Sequence, residues 1–138
     1  MDIDLRPGAS GDLKSIAQIQ AASPEASQWD VPAYLNYDLR VALCGENVAG
    51  FAVARRLAED EAELLNLAVD PAFRRRGIGR RLLSNVILSY RGTLWLEVRE
   101  SNLNARKFYK SLGFSEAGYR AGYYAESHER AIVMNVHS

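Results

Sequence analysis

Apolar Ile3 and Leu5 alternate with charged Asp2, Asp4 and Arg6, which predicts a short opening strand broken by Pro7-Gly8. Leu13, Ile16, Ala17 and Ile19 share one helical face, so a helix is expected from about Asp12 to Ala22. Ser23-Pro24 ends it, because proline biases its predecessor away from helical angles. Asp30 stands as the N-cap of a second short helix carrying Val31, Tyr34, Leu35 and Leu39. Two apolar runs, Arg40 to Cys44 and Val48 to Ala54, flank the tight-turn signal Gly45-Glu46-Asn47 and read as a hairpin. Acidic Glu59-Asp60-Glu61 turns the chain into a further strand, Ala62 to Val69, stopped by Asp70-Pro71. The clearest helix runs from Gly77 to Tyr90, where Ile78, Leu82, Leu83, Val86, Ile87 and Tyr90 recur near a 3.6-residue period.

Beyond Gly92, Thr93 to Arg99 reads as a strand that is apolar on both faces except at Glu97. Asn102 to Leu112 reads as a helix with Ala105, Phe108, Tyr109 and Leu112 on one stripe and Gly113 as its left-handed cap. Two closing strands, about Phe114 to Tyr123 and Arg130 to Val136, are joined by a polar loop. The order β-α-α-β-β-β-α-β-α-β-β defines a mixed α/β (α+β) fold with about seven strands and four flanking helices. The first half is antiparallel, and a helical crossover joins the middle strands.

At 138 residues the chain is expected to form one domain, residues 1–138, with 48% hydrophobic and 25% charged positions typical of a globular protein. Seventeen basic residues balance seventeen acidic ones, so no whole-molecule attraction to nucleic acid or anionic membrane is expected. Locally the balance fails, because Arg74, Arg75, Arg76, Arg80 and Arg81 crowd into one turn. The single Cys44 and the two histidines, His128 and His137, offer no disulfide and no metal-ligand spacing, so no metal is expected. The N-terminus lacks the apolar stretch of a signal peptide, and no apolar run approaches a membrane span. A cytoplasmic protein is expected.

The segment Arg74-Arg75-Arg76-Gly77-Ile78-Gly79-Arg80 falls between a strand and the start of the best helix. The first turn of a helix offers backbone N–H groups with no intrahelical partner and the positive end of the dipole. Glycines at 77 and 79 let an anion approach those amides, and flanking guanidinium groups add charge suited to a pyrophosphate. A solvated basic turn is the alternative. Neither the Walker loop, which needs Gly-Lys-Ser/Thr, nor the dinucleotide fingerprint, which needs glycine where Leu82 stands, fits this spacing.

The pattern Gln/Arg-x-x-Gly-x-Gly/Ala is met by Arg74, Gly77 and Gly79, and here the sequence resembles the GNAT superfamily of acetyl-CoA-dependent N-acetyltransferases. Asn66-Leu67-Ala68-Val69-Asp70-Pro71, Leu94-Trp95-Leu96-Glu97-Val98-Arg99, Ser101-Asn102 and Phe108-Tyr109-Lys110-Ser111-Leu112-Gly113-Phe114 all resemble its bacterial ribosomal-protein-alanine branch. The resemblance is strongest from Glu61 to Phe114 and weaker around Tyr123-Tyr124 and Ala131-Ile132-Val133-Met134. It implies a GNAT-like sheet splayed at the cofactor site. It also implies that the main chain of Leu67, Ala68 and Val69 pairs with the pantetheine arm of acetyl-CoA, and that the amides of Arg75, Arg76, Gly77, Ile78, Gly79 and Arg80 hold the pyrophosphate. Asn102 would contact the cofactor.

Acetyl transfer to an amine needs a neutral nucleophile, a polarised thioester and a protonated leaving thiolate. An α-amine titrates near 8, so deprotonation needs only modest help. Glu97 is the candidate base, in an apolar strand on the pleat face of Trp95, while the plain reading is a glutamate ion-paired to a nearby arginine. The resemblance places the general acid at Tyr109, which at its helical spacing also reads as a packing aromatic. Further, it implies that Tyr123, Tyr124 and the first two helices, with Trp29 between them, frame a groove for a peptide N-terminus. That peptide would come from a protein such as a ribosomal one. Two departures stand out: Gln28-Trp29-Asp30 replaces the branch's Pro-Trp-Ser, and Arg130 puts a cation before the last strand, where it could disfavour an incoming ammonium. Transfer to a small-molecule amine, or acyl-CoA binding without turnover, are the competing readings.

Overall fold

The computed structural model describes residues 2–124 and 129–138, without the side chains of residues 122–124. Its elements are β1 (Ile3–Pro7), α1 (Leu13–Ala21), β2 (Asp38–Cys44), β3 (Asn47–Ala58), β4 (Glu61–Val69), α2 (Ile78–Ser89), β5 (Thr93–Arg99), α3 (Leu103–Ser111), β6 (Ser115–Tyr124) and β7 (Glu129–His137). Short 3-10 turns stand at Ser10–Asp12, Val31–Asn36 and Pro71–Phe73. The strands form one mixed sheet in the order β1-β2-β3-β4-β5-β7-β6. By internal contacts the chain divides into two compact units, Met1–Arg55 with Leu64–Ser89 and Arg56–Glu63 with Tyr90–Ser138.

In the first unit β1 pairs antiparallel with β2, and β2 with β3 across a bulge between Ala42 and Leu43. Ile16 and Ile19 from α1 bury against Leu39, Val41, Phe51, Val53 and Ala68. Tyr34 joins this cluster with its ring 5.7 Å from that of Phe51. Ile78, Leu82, Leu83 and Val86 are the buried stripe of α2, the face its period predicts.

The expected second short helix is present, in 3-10 rather than α form. The segment after Asp30 is a six-residue 3-10 turn, Val31–Asn36, with proline in its first turn and no side-chain cap from Asp30. So short a run cannot offset the cost of nucleating an α-helix. Leu39 is not on its face; it belongs to β2, opposite Val53, where the strand buries it. Strand β3 also runs on to Ala58, past the expected end at Ala54.

In the second unit β5 pairs antiparallel with β7 and β7 with β6, so the last strand inserts beside β5. The parallel β4–β5 ladder covers three pairs, Glu61↔Thr93 to Glu63↔Trp95, although β4 continues to Val69 and β5 to Arg99. Alternation along β5 buries Leu94, Leu96 and Val98 and leaves Trp95, Glu97 and Arg99 on the other, half-buried face.

Candidate active site

In the first unit, β4 ends at Val69, and Asp70 turns the chain by donating its N–H to Ala49 O (2.8 Å) and accepting from Ala72 N–H (2.9 Å). The basic turn follows. Arg75 adopts φ +65 and Gly77 φ +79, two left-handed residues separated by one. Left-handed backbone costs a non-glycine residue roughly 1–2 kcal/mol, and such turns aim successive amides into an anion-binding concavity. The first bond of α2 runs from Arg81 N–H to Gly77 O (3.0 Å), so Ile78 and Gly79 open the helix ahead of it. A Cβ on Gly77 would meet nothing within 4 Å, so it is the backbone angle that calls for glycine there. Buried Ile78 anchors this end, while Arg74, Arg75, Arg76 and Arg80 are exposed.

The arginines of the turn differ in their engagements. Arg74 folds back on the chain, donating to Val69 O (3.2 Å) and Ser23 Oγ (3.1 Å) and pairing with Glu25 (3.4 Å). Its guanidinium therefore ties the turn to the end of β4 and to the segment after α1. Arg76 lies over the ring of Phe73 at 5.4 Å. Leu67, Ala68 and Val69 close β4, with Ala68 buried and the other two half-buried. The Leu67 N–H is held by Asn66 Oδ1 at 3.0 Å. Trp29 is exposed, and its carbonyl accepts from Gln20 Nε2 at 2.7 Å.

The second unit holds the two candidate catalytic side chains. Glu97 is partly buried, and Arg120 of β6 donates to its Oε1 at 2.6 Å. Register explains the reach: Glu97 stands opposite Val133 and Arg120 opposite Ala131, so both side chains share one face and small Ala131 lies under the span. The ion pair is the plain reading of Glu97, and it also fixes the carboxylate in place.

Tyr109 is placed by the ends of its helix. Asn102 caps α3, its Oδ1 accepting from Ala105 N–H at 3.2 Å. At the other end Gly113, at φ +96, donates to Lys110 O (3.0 Å) and Phe114 N–H to Tyr109 O (3.1 Å). These are the two bonds of a Schellman motif, and its usual apolar contact is present, with the Tyr109 and Phe114 rings 5.6 Å apart. Phe108 meets Tyr109 edge-on at 5.5 Å. Arg130, the expected electrostatic obstacle, is ion-paired to Glu100 and stacked over Tyr119 at 4.3 Å. The pairing holds the Glu100 carboxyl below its ordinary range, chiefly through the hydrogen bond from Arg130.

Tyr123 and Tyr124 close β6, but their side chains lie outside the described residues, as does His128 altogether. Among the described residues no group of His, Cys, Asp and Glu could hold a metal ion. No helix among them is long and apolar enough to cross a membrane. Asn66, Gln20, Tyr34 and Arg120 are not among the candidate site residues that the sequence singles out. For Asn66 a signal existed: it falls in period with Ala62, Leu64 and Ala68, the buried side of β4, where an amide is out of place.

The profile of the Acetyltransferase (GNAT) family matches residues 13–114, so the chain belongs to the GNAT acetyltransferase family. It is an N-acetyltransferase, the class its relatives define. The [ribosomal protein bS18]-alanine N-acetyltransferase of Salmonella typhimurium is 50% identical over 107 residues, covering 73% of this chain and 70% of that protein. The same enzyme of Escherichia coli K12 is 47% identical over 107 residues, with the same coverage of 73% and 70%. Among solved structures, the ribosomal-protein-S18-alanine N-acetyltransferase of Escherichia coli has a TM-score of 0.82 at 33% identity, covering 98% of this chain and 93% of that one. Ard1 of Thermoplasma volcanium has a TM-score of 0.90 at 26% identity, covering 99% and 97%.

Proposed function

We propose that the chain transfers the acetyl group of acetyl-CoA directly to the α-amine of a protein N-terminus, that of a ribosomal protein beginning with alanine. The observation carrying this reading is the 50% identity to the Salmonella enzyme whose name specifies that acceptor. The turn supports acetyl-CoA as donor: left-handed Arg75 and Gly77, helix-opening amides and exposed arginines match the chemistry of a diphosphate. Bound there, acetyl-CoA supplies an activated thioester. The main chain of Leu67, Ala68 and Val69 would orient its pantetheine arm, the amides from Arg75 to Arg80 would hold the diphosphate, and Asn102 would contact the cofactor as well as cap α3.

Glu97, fixed by Arg120, accepts the proton that the α-amine gives up as its nitrogen bonds to the acetyl carbon. Tyr109 donates its phenolic proton to the sulfur as the carbon–sulfur bond breaks, and takes one back from solvent or from Glu97. Trp29, Tyr123 and Tyr124 would border the acceptor peptide. Since Arg130 is already paired with Glu100, its charge is compensated and does not argue against an incoming ammonium. Its place of work would be the cytoplasm, where ribosomal proteins are made.

The test is intact mass spectrometry of short peptides beginning Ala-, Ser- or Met- after incubation with enzyme and acetyl-CoA. One added acetyl group on the Ala- peptide, with less on the others, is the expected result. Acetylation of small amines alone, or cofactor binding without turnover, would replace this reading.

A further inference from the structure

The first unit encloses three polar side chains from three elements: Gln20 of α1, Tyr34 of the 3-10 turn Val31–Asn36, and Asn66 of β4. Tyr34 is 0% exposed, and Gln20 and Asn66 are 6% exposed. The Tyr34 hydroxyl donates to Gln20 Oε1 at 2.5 Å, and Asn66 Nδ2 donates to the same hydroxyl at 3.0 Å. Asn66 Nδ2 also donates to Gln20 Oε1 at 3.3 Å, and outward from this knot the bonds go to main chain. Asn66 Nδ2 also donates to Ser27 O (2.8 Å), Gln20 Nε2 to Trp29 O (2.7 Å), and Asn66 Oδ1 accepts from Leu67 N–H (3.0 Å).

Apolar side chains of similar volume would fill this space with equal or better stability, because a buried polar group gains little net over its bonds to water. What they could not supply is direction. Hydrogen bonds fix angle as well as distance, so a fully satisfied buried network selects one arrangement of the segments it joins. The segments joined here are the loop from Ser23 to Trp29 and the last turn of strand before the basic turn. A second clamp, Arg74 to Ser23 and Val69, joins the same two. No side-chain N or O buried among the described residues lacks a partner, so this network is complete.

We propose that Asn66, with Gln20 and Tyr34, is a positioning residue that holds the acceptor loop in register with the strand that pairs with the donor. This deepens the function proposed above and rests on it, because that reading places Trp29 at the acceptor and Leu67 at acetyl-CoA. Asn66 bonds directly to main chain at both ends, to Ser27 O and Leu67 N–H, whereas the Tyr34 hydroxyl bonds only to the side chains of Gln20 and Asn66. The two variants should therefore differ in kind. Asn66→Ala should raise both the KM for an Ala- peptide and the Kd for acetyl-CoA, each about threefold to tenfold, the effect of one neutral hydrogen bond. Tyr34→Phe, which keeps the ring packed on Phe51, should raise the peptide KM by a similar factor and leave the acetyl-CoA Kd within about twofold.

The experiment combines steady-state kinetics, calorimetry with acetyl-CoA, and amide hydrogen exchange of the free enzyme. If both variants lose thermal stability while KM, Kd and exchange stay at wild-type values, the three residues are merely structural and the proposal falls. Should Asn66→Ala fail to fold, Tyr34→Phe decides alone: a raised peptide KM with faster exchange over residues 27–29 supports the coupling, and unchanged values overturn it. Absence of turnover by the wild-type enzyme would count against the acceptor reading instead. In that case exchange at Leu67 and at residues 27–29 still judges the network, supporting it if Asn66→Ala loosens both and overturning it if neither responds.

Discussion

At the scale of single residues, the proposed mechanism gives Glu97 and Tyr109 separate tasks, and the expected effects follow from that separation. Glu97→Gln should lower kcat by about 10²- to 10⁴-fold, the usual contribution of a general base, and leave the acetyl-CoA Kd within about twofold. Tyr109→Phe should lower kcat by a similar factor, since loss of the phenolic proton leaves the thiolate to depart unassisted. Steady-state kinetics beside calorimetry check both, and wild-type turnover in either variant would remove that residue from the mechanism. Glu97 was legible in the sequence because a carboxylate in an apolar strand is conspicuous. Its partner was not, because Arg120 lies 23 residues away and meets Glu97 only through the register of β6 and β7 on β5. Asn66 of β4 and Gln20 of α1, 46 residues apart, likewise meet only in the folded chain. Periodicity reports which face a residue occupies and is silent on what stands opposite.

Among the elements, the basic turn and α3 make distinct demands on backbone shape. Arg75 occupies a conformation in which glycine is relaxed, so Arg75→Gly should keep or raise the melting temperature while weakening acetyl-CoA binding through the lost charge. A fall in stability instead would show that the arginine side chain, not the turn, holds this segment. Gly113→Ala should cost about 1–2 kcal/mol, because φ +96 is left-handed and the Schellman bonds that seat Tyr109 depend on it. Denaturant unfolding reads this directly.

Asp12 offers a test by pH. Two hydrogen bonds from Arg6, at 2.8 and 2.9 Å, and one from Ala9 N–H, at 2.8 Å, fix its carboxylate. The Arg6 bond, foremost, holds its pKa below the ordinary value. A depressed folded-state value means stability present in full above the ordinary carboxylate range near 4 and lost as pH falls through the folded value. The melting temperature of Asp12→Asn should thus trail the wild type at pH 7, and the gap should close in acid. The legible elements were those with a sustained period, such as α2, found within one residue at each end. At Val31–Asn36 a short helix was legible but its 3-10 form was not, since its few apolar positions fit either kind, and Pro32 together with the pull of Leu39 into β2 set the type.

For the whole molecule, the order of strands and helices along the chain was readable, but the order of strands across the sheet was only partly so. The insertion of β7 between β5 and β6 leaves no periodic trace, because it depends on pairing between distant segments. Charge balance, by contrast, is a property of the sequence itself, and it narrows where electrostatics can act. With seventeen charges of each sign, attraction for a polyphosphate must be local to the turn. Raising ionic strength should therefore weaken acetyl-CoA binding more than it weakens binding of a neutral Ala- peptide, which calorimetry at two salt concentrations would reveal.

Most direct of all is fragmentation mass spectrometry that locates the acetyl group on a peptide carrying both an N-terminal alanine and an internal lysine, after reaction with the enzyme and acetyl-CoA. The acetyl should lie on the alanine nitrogen, and a copy of the peptide with that nitrogen blocked should remain unmodified. Acetylation of the lysine in both peptides, or of neither nitrogen in either, would contradict the account.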